Sequence, residues 1–181
     1  GKIQQFKASI FNLGDVEGEG ELIDKTFTFP KVTFQPPKLD RMSIVKPVVI
    51  KFSDQGMTLA GSPLAGLEAD GNIDYRQKEI LNLKLKCQNC AVKPFMASLE
   101  DYPLIEGSFD ATGALQIVIG NFPASKMQFQ FSRLHVPFED QTLKNSGNCL
   151  ISFKQGAFYF DQVNVAMQDQ TLRMSGYYAI R

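Results

Sequence analysis

The sequence predicts an all-β protein built on an antiparallel sheet with one apolar face. Between residues 106 and 181, apolar side chains occupy every second position of successive short segments, and in a strand this alternation places them on a single face. The segments recur about every 8 to 12 residues, which is the spacing of consecutive hairpins. The long helices that a parallel sheet needs between its strands are not predicted, so the pattern favours an antiparallel meander.

The first 37 residues predict strands that are interrupted by proline. The alternating pairs there are Phe27 with Phe29 and Val32 with Phe34. Pro30 and the pair at 36–37 cannot donate to a β-ladder, which confines this segment to an edge or a bend. We therefore assign residues 1–37 to N-terminal strands that can belong to the same sheet, and residues 38–181 to the main β segment.

Two short segments predict helical turns. Pro94 stands where a first helical turn tolerates proline, good helix formers follow it, and Tyr102-Pro103 ends the pattern. One short helix is therefore predicted near residues 93–100. Ser62 followed by Pro63 predicts a single turn over 62–65 by the same reasoning.

The apolar residues of the later segments form the candidate binding surface, because they share one face if each segment is a strand. They are Leu83, Leu85, Leu115, Ile117, Ile119, Met127, Phe129, Phe131, Ile151, Phe153, Phe158, Phe160, Val163 and Val165. Polar residues such as Gln128 and Gln130 take the opposite face. The apolar face either lines an open groove that holds a hydrophobic ligand or packs within a closed sandwich or barrel. In the second case the protein is a purely structural β-domain, such as a spacer or adhesin-like module. The alternation is compatible with both.

Composition excludes several classes of partner. The 181 residues carry 19 Lys and Arg against 19 Asp and Glu, a net charge of zero, without the basic cluster that nucleic-acid binding requires. No apolar run approaches the roughly 18 to 20 residues that span a bilayer, and the first residues contain no signal-peptide core. These features indicate a soluble fragment of a longer protein whose targeting sequence, if it has one, lies outside it.

The cysteines admit more than one interpretation. Cys87 and Cys90 form a C-x-x-C pair, and Cys149 and His135 complete a formal Cys3His zinc set. Cys87 continues an apolar alternation and Cys149 shares parity with Ile151, which favours burial over metal binding. In an oxidising compartment Cys87 or Cys90 is open to bridging, and the third thiol would then be left over.

No catalytic constellation is present. No serine or carboxylate is arranged around His135 in the way that an activated nucleophile requires. No glycine-rich turn precedes a helix that would bind phosphate. The sequence therefore predicts that the protein is not an enzyme, with no catalytic residue, metal or cofactor.

A family resemblance rests on the order of glycine-spaced strands. The segment from Gly107 to Ala124 places an alternating strand before a Gly-x-hydrophobic-Pro turn, and the strand at 127–131 follows it. Similar pieces occur at 145–151, 156–160 and 172–176. This order resembles the AsmA-like proteins and in particular the TamB family, and the resemblance covers about residues 44 to 181.

The resemblance implies a location and a role. TamB-like proteins are anchored in the inner membrane and extend across the periplasm, and their sheet curls into an open apolar trough called a β-taco. They are linked to phospholipid movement between membranes and, with an Omp85-type outer-membrane partner (TamA-like), to assembly of β-barrel proteins. The expected ligands are therefore phospholipid acyl chains or hydrophobic β-strands, held in the trough.

A segment of such a sheet is also expected to associate with itself. An open sheet ends in two edges with unpaired backbone groups, which pair with any available strand. The predicted edges lie near residues 27–34 and near 172–178.

Overall fold

The computed structural model describes residues 2–8, 11–77, 79–97, 103–147 and 149–179, with side-chain burial described from Gly14 onward. Within this part the protein is all-β, as predicted, and its strands belong to one 14-stranded antiparallel sheet. The first seven strands are β1 (Lys2–Ala8), β2 (Phe11–Ile23), β3 (Thr26–Gln35), β4 (Met42–Ser43), β5 (Lys46–Phe52), β6 (Gly56–Leu64) and β7 (Leu67–Asp74). The others are β8 (Ile80–Ala91), β9 (Ser108–Val118), β10 (Lys126–Phe138), β11 (Gln141–Asn145), β12 (Cys149–Lys154), β13 (Ala157–Met167) and β14 (Gln170–Ala179).

The sheet is a meander in which each strand position lies beside the one before it in the chain. At two positions in the sheet, two consecutive short strands take the place of one long strand. Strands β4 and β5 both pair with β3, and β11 and β12 both pair with β10 and with β13. The N-terminal strands β1 to β3 are part of the same sheet. Hairpin connections suffice because every neighbouring pair is antiparallel.

The sheet does not close on itself within the described residues, where β1 and β14 each pair with one neighbour. The chain exposes 11972 Å² of surface, whereas a compact monomer of 20.2 kDa exposes about 8,800 Å². The excess means that much of the sheet surface is not covered by a second layer.

A line of β-bulges crosses the sheet, and we call it the crease. Extra residues interrupt the ladder after Gly61 in β6, after Cys87 in β8, after Phe131 in β10 and after Phe160 in β13. A β-bulge bends its strand and increases the local twist. Bulges at matching levels on β6, β8, β10 and β13, which alternate with regular strands, therefore bend the sheet along this line.

Polar side chains satisfy the backbone groups that the crease leaves unpaired. Asn145 accepts a hydrogen bond from the Leu134 N–H (2.7 Å) and donates to the carbonyl of Ser132 (3.0 Å). The buried hydroxyl of Ser62 donates to the carbonyl of Leu67 (2.7 Å). Since an unpaired buried backbone group is costly, these contacts stabilise the bulged conformation.

The Arg133 guanidinium joins three strands at the same line. It binds both carboxylate oxygens of Asp110, at 2.8 Å from Nε and 3.1 Å from a terminal nitrogen, and it donates to the side-chain oxygen of Asn89 (2.7 Å). Asn89 has a φ of 53° and lies in the β8 bulge. The contact therefore ties β8, β9 and β10 together where their ladders are disturbed.

Two local predictions need correction, and a third is confirmed in the part of the chain that the structure describes. Residues 62–64 continue strand β6 instead of forming a helical turn, because the Ser62 hydroxyl binds carbonyls across the bulge and does not cap a helix. The short helix α1 spans Lys93–Ala97, and residues 98–100 of the predicted helix lie outside the described part. The N-terminal sheet edge is not at 27–34, since β3 lies between β2 and β5.

Candidate functional site

The apolar face is continuous across the sheet. Residues directly opposite each other on antiparallel strands share a face, so the register can be followed from strand to strand. One row of such pairs crosses from β2 to β14. Its members are Leu22, Phe27, Ile50, Leu59, Gly71, Leu83, Leu115, Met127, Phe153, Phe158 and Tyr178.

Two further rows lie beside the first on the same face. The second consists of Ala69, Leu85, Gly113, Phe129, Ile151, Phe160 and Gly176, and the third of Leu67, Cys87, Ala111, Phe131 and Cys149. Ile117 lies opposite Leu81 on the other side of the first row. Val163 and Val165 lie past the β13 bulge and pack with Phe131, Ile151 and Phe160. The structure thus brings these candidate residues onto one face.

Ile119 is not part of this arrangement. Strand β9 ends at Val118, and Ile119 lies in the following turn with 53% of its surface exposed. Conversely, the predicted site does not include Leu22, Phe27, Ile50, Leu59 and Tyr178, which also belong to the row. Their alternation was visible for Ile50 and Leu59, but their register with the later strands was not.

Burial on the apolar face is uneven. A compact cluster around Cys149, Val163 and Val165 is buried, and Phe153 is 1% exposed. Most other members of the rows are half-buried. At the ends of the first row, Leu22 is 62% exposed and Tyr178 is 67% exposed. Outside this cluster the apolar face is therefore only partly covered.

Glycine makes space for large side chains on this face. A Cβ at Gly113 would lie 2.9 Å from the ring of Phe129 on β10, and a Cβ at Gly71 would lie 2.6 Å from the Leu83 side chain on β8. Both distances are shorter than real contacts between carbon atoms. The two glycines therefore let Phe129 and Leu83 lie flat over the neighbouring strand.

Two aromatic clusters mark opposite sides of the apolar face. Phe122, in a short 3-10 turn, contacts Phe153 (5.1 Å between ring centroids), and Phe153 contacts Phe158 (4.9 Å). On the other side, Phe95 of α1 contacts Phe109 (5.3 Å), which contacts Phe131 (5.7 Å). The turn and the helix thus fold over the margins of the face.

A cavity of about 880 Å³ lies at the α1 side. It is lined by the loop after β3, including Pro36, Lys38 and Asp40, and by Lys93 and Leu104 from the β8–β9 connection. Because β5, β6 and β7 separate β3 from β8 in the sheet, the two connections can line one cavity only if the sheet is curved. The side chain of Pro36 is fully buried there.

The opposite face carries most of the polar side chains, together with Tyr159 and Tyr177. The row that alternates with the first one contains Asp70, Lys84, Ala114, Gln128 and Ser152. His135 lies in β10 opposite Ser108 and Lys144, is exposed, and alternates with the apolar Leu134. In the described residues no group of three or more His, Cys, Asp or Glu side chains is placed to bind a metal.

The perturbed ionisable groups of the sheet lie at the crease. Hydrogen bonds from Arg133 and from the Asn89 N–H lower the pKa of the Asp110 carboxyl. Burial raises the pKa of the Cys87 thiol and that of the Cys149 thiol. A raised pKa disfavours the thiolate, which is the nucleophilic form of cysteine. The thiolate form is therefore disfavoured at Cys87 and at Cys149.

Comparisons with family models, curated proteins and solved structures returned no match. Among the helices that the structure describes, none has the length and apolar character required to cross a bilayer. The features of this chain that bear on its function are therefore the geometry of the apolar face and the order of its glycine-spaced strands.

Proposed function

We propose that this chain is a periplasmic segment of an inner-membrane-anchored scaffold of the AsmA-like type, similar to the TamB family, in a diderm bacterium. Its apolar face holds phospholipid acyl chains or the hydrophobic strands of unfolded barrel proteins. The scaffold serves lipid transport between the membranes, or outer-membrane protein assembly with an Omp85-type barrel partner. The protein catalyses no reaction in this role.

The observation that carries the proposal is the row of apolar side chains from Leu22 to Tyr178, which crosses the sheet without a charged residue. Each methylene of a ligand that leaves water against such a surface contributes about 0.8 kcal/mol. An acyl chain is therefore retained by many small contacts, and no polar site is needed to hold its apolar part. Weak, distributed contacts also let a chain move along the face.

The decisive measurement is the lipid content of the purified protein, determined by native mass spectrometry and by lipid extraction. We expect phospholipid to co-purify with the wild type. Phe129→Asp places a charge in the second row, and its desolvation costs several kcal/mol. Since 1.4 kcal/mol corresponds to a tenfold change in affinity, bound lipid should fall by more than about tenfold.

The matched control is Gln128→Asp, which places the same charge one residue away on the polar face. It should leave lipid binding unchanged. Circular dichroism melts distinguish the two interpretations of the apolar face, since a half-buried charge at position 129 can reach water and the fold should survive. A lipid-free wild type, together with unfolding of Phe129→Asp, would instead indicate a purely structural β-domain with a packed core.

A further inference from the structure

Cys87 and Cys90 lie on either side of the β8 bulge. Cys87 is opposite Ala111 on β9, and Cys90 is opposite Phe109. The three residue steps from Cys87 to Cys90 on β8 therefore lie opposite only two residue steps on β9, from Ala111 to Phe109. In a regular strand, residues three apart point to opposite faces. Here the bulge turns both cysteines to the apolar face.

The bulge also brings the two cysteines close together. The residues of β9 that lie opposite the two cysteines are two strand steps apart. Two steps correspond to about 6.6 Å. A disulfide requires a Cα separation of about 4.4 to 6.8 Å. The Cys90 thiol lies within hydrogen-bond reach of the Cys87 thiol, and after burial this contact is the next cause of the raised Cys87 pKa.

Cys149 cannot take part in this pair. It lies in the same row as Cys87, but on β12, so that β9 and β10 separate them. Three inter-strand spacings place the two Cα atoms about 14 Å apart, which is beyond the reach of a disulfide. Of the disulfides that are compatible with the sequence, the one between Cys87 and Cys90 is also compatible with the strand register.

We propose that Cys87 and Cys90 are a modification site at which an intramolecular disulfide forms across the β8 bulge, with a small or protein disulfide as the oxidant. The half-buried Cys87 reacts first, whereas Cys90 is 1% exposed. The Cys87 thiolate attacks one sulfur of the oxidant and releases one thiol. The Cys90 thiolate then attacks the mixed disulfide at the Cys87 sulfur, and a second thiol leaves. Two protons are transferred in all and the oxidant is reduced to two thiols.

The bridge would be structural and not catalytic. A catalytic C-x-x-C needs a low-pKa, accessible thiolate, and burial acts against this at Cys87. The covalent link would span the same bulge that Asn89 and Arg133 hold through hydrogen bonds. Oxidation therefore fixes the crease at β8 in its bulged form.

The test uses oxidised glutathione on the folded 181-residue chain, followed by thiol counting with Ellman's reagent under denaturing conditions. We expect the wild type to retain one thiol and Cys149→Ser to retain none. Cys87→Ser should gain neither a bridge nor a rapid adduct, because Cys90 is buried. A tryptic digest provides a second measurement that needs no variant: the peptide that begins at Cys87 and contains both cysteines should become about 2 Da lighter.

Three outcomes would overturn the proposal. One is a wild type that keeps three thiols when folded but forms the bridge once unfolded. Another is a stable glutathione adduct on Cys87 without loss of the second thiol. The third is a covalent dimer, which would show that the two sulfur atoms do not meet within one molecule.

Discussion

At the scale of single residues, the apolar face depends on side chains that lie over glycine. Gly113 lies opposite Phe129 on the neighbouring strand β10 and opposite Leu85 on the neighbouring strand β8. The Phe129 ring occupies the space that a Cβ at Gly113 would need. From the alternating pattern alone, such a glycine is expected to destabilise the strand. The structure shows it to be a contact position.

We predict that Gly113→Val destabilises the sheet. The added Cβ would lie 2.9 Å from the Phe129 ring, so the ring has to move, and overpacking of this kind costs about 1 to 3 kcal/mol. Urea unfolding measures the change. The control is Ala114→Val, which adds similar bulk on the exposed polar face next to it and should change the free energy of unfolding by less than about 0.5 kcal/mol. Equal effects at both positions would contradict this account.

At the scale of strands, the sequence carried more information than simple alternation. The apolar positions change parity between Phe131 and Leu134 and again between Phe160 and Val163. A parity change within a continuous strand requires an inserted residue, and the structure has a bulge at each place. The bulges were therefore present in the pattern, but their alignment into a crease required the register between strands.

Strand β2 shows the opposite case, in which the local composition disfavours a strand that nevertheless forms. Its 13 residues include three glycines and several acidic residues, which are uncommon in strands. Gly20 packs beneath the rings of Phe27 and Phe29, where a Cβ would lie 2.6 Å from the Phe27 ring. The partner strand thus supplies apolar surface at Gly20, and this tertiary contact outweighs the local preference.

We predict that the Arg133–Asp110 contact contributes stability that depends on pH. Arg133 lowers the pKa of Asp110 in the folded state. The contribution is therefore present above the unfolded pKa of about 3.9, and it is lost as pH falls through the lower folded value. Asp110→Asn should destabilise the protein at pH 7, and the difference from wild type should narrow at acid pH.

Urea unfolding of both proteins at neutral and acid pH measures this effect. Asp54→Asn is the control, because Asp54 pairs with Lys25 at an exposed turn away from the crease. It should have a smaller effect at pH 7. A difference between wild type and Asp110→Asn that stays constant with pH would show that the contact does not act through the carboxylate charge.

At the scale of the whole molecule, the open sheet leaves an edge at β14. All residues of β14 are exposed, and in the described part of the chain the strand pairs only with β13. Its one charged residue is Arg173. Long edge strands with few charges pair readily with other strands. The C-terminal edge was predicted near 172–178, and this is where β14 lies.

We predict that the protein self-associates through β14 at high concentration. Sedimentation velocity should show a shift to larger species as concentration rises. The double variant Thr171→Lys and Tyr177→Lys should weaken this shift, because lysine on an edge strand opposes pairing. Gln116→Lys, which adds a charge on the polar face of the internal strand β9, serves as control and should associate as the wild type does. A wild type that stays monomeric at millimolar concentration would contradict the prediction.

The meander has a consequence for how such a protein changes in length. Since each strand position contacts the positions before and after it in the chain, a hairpin can be inserted or removed without changing the neighbours of distant strands. Each added hairpin lengthens the sheet by about 9.6 Å, and its folding needs only contacts that are close in sequence. Architectures of this kind fold by nearest-neighbour propagation, as solenoids do. The span of the apolar face is therefore adjustable in discrete steps.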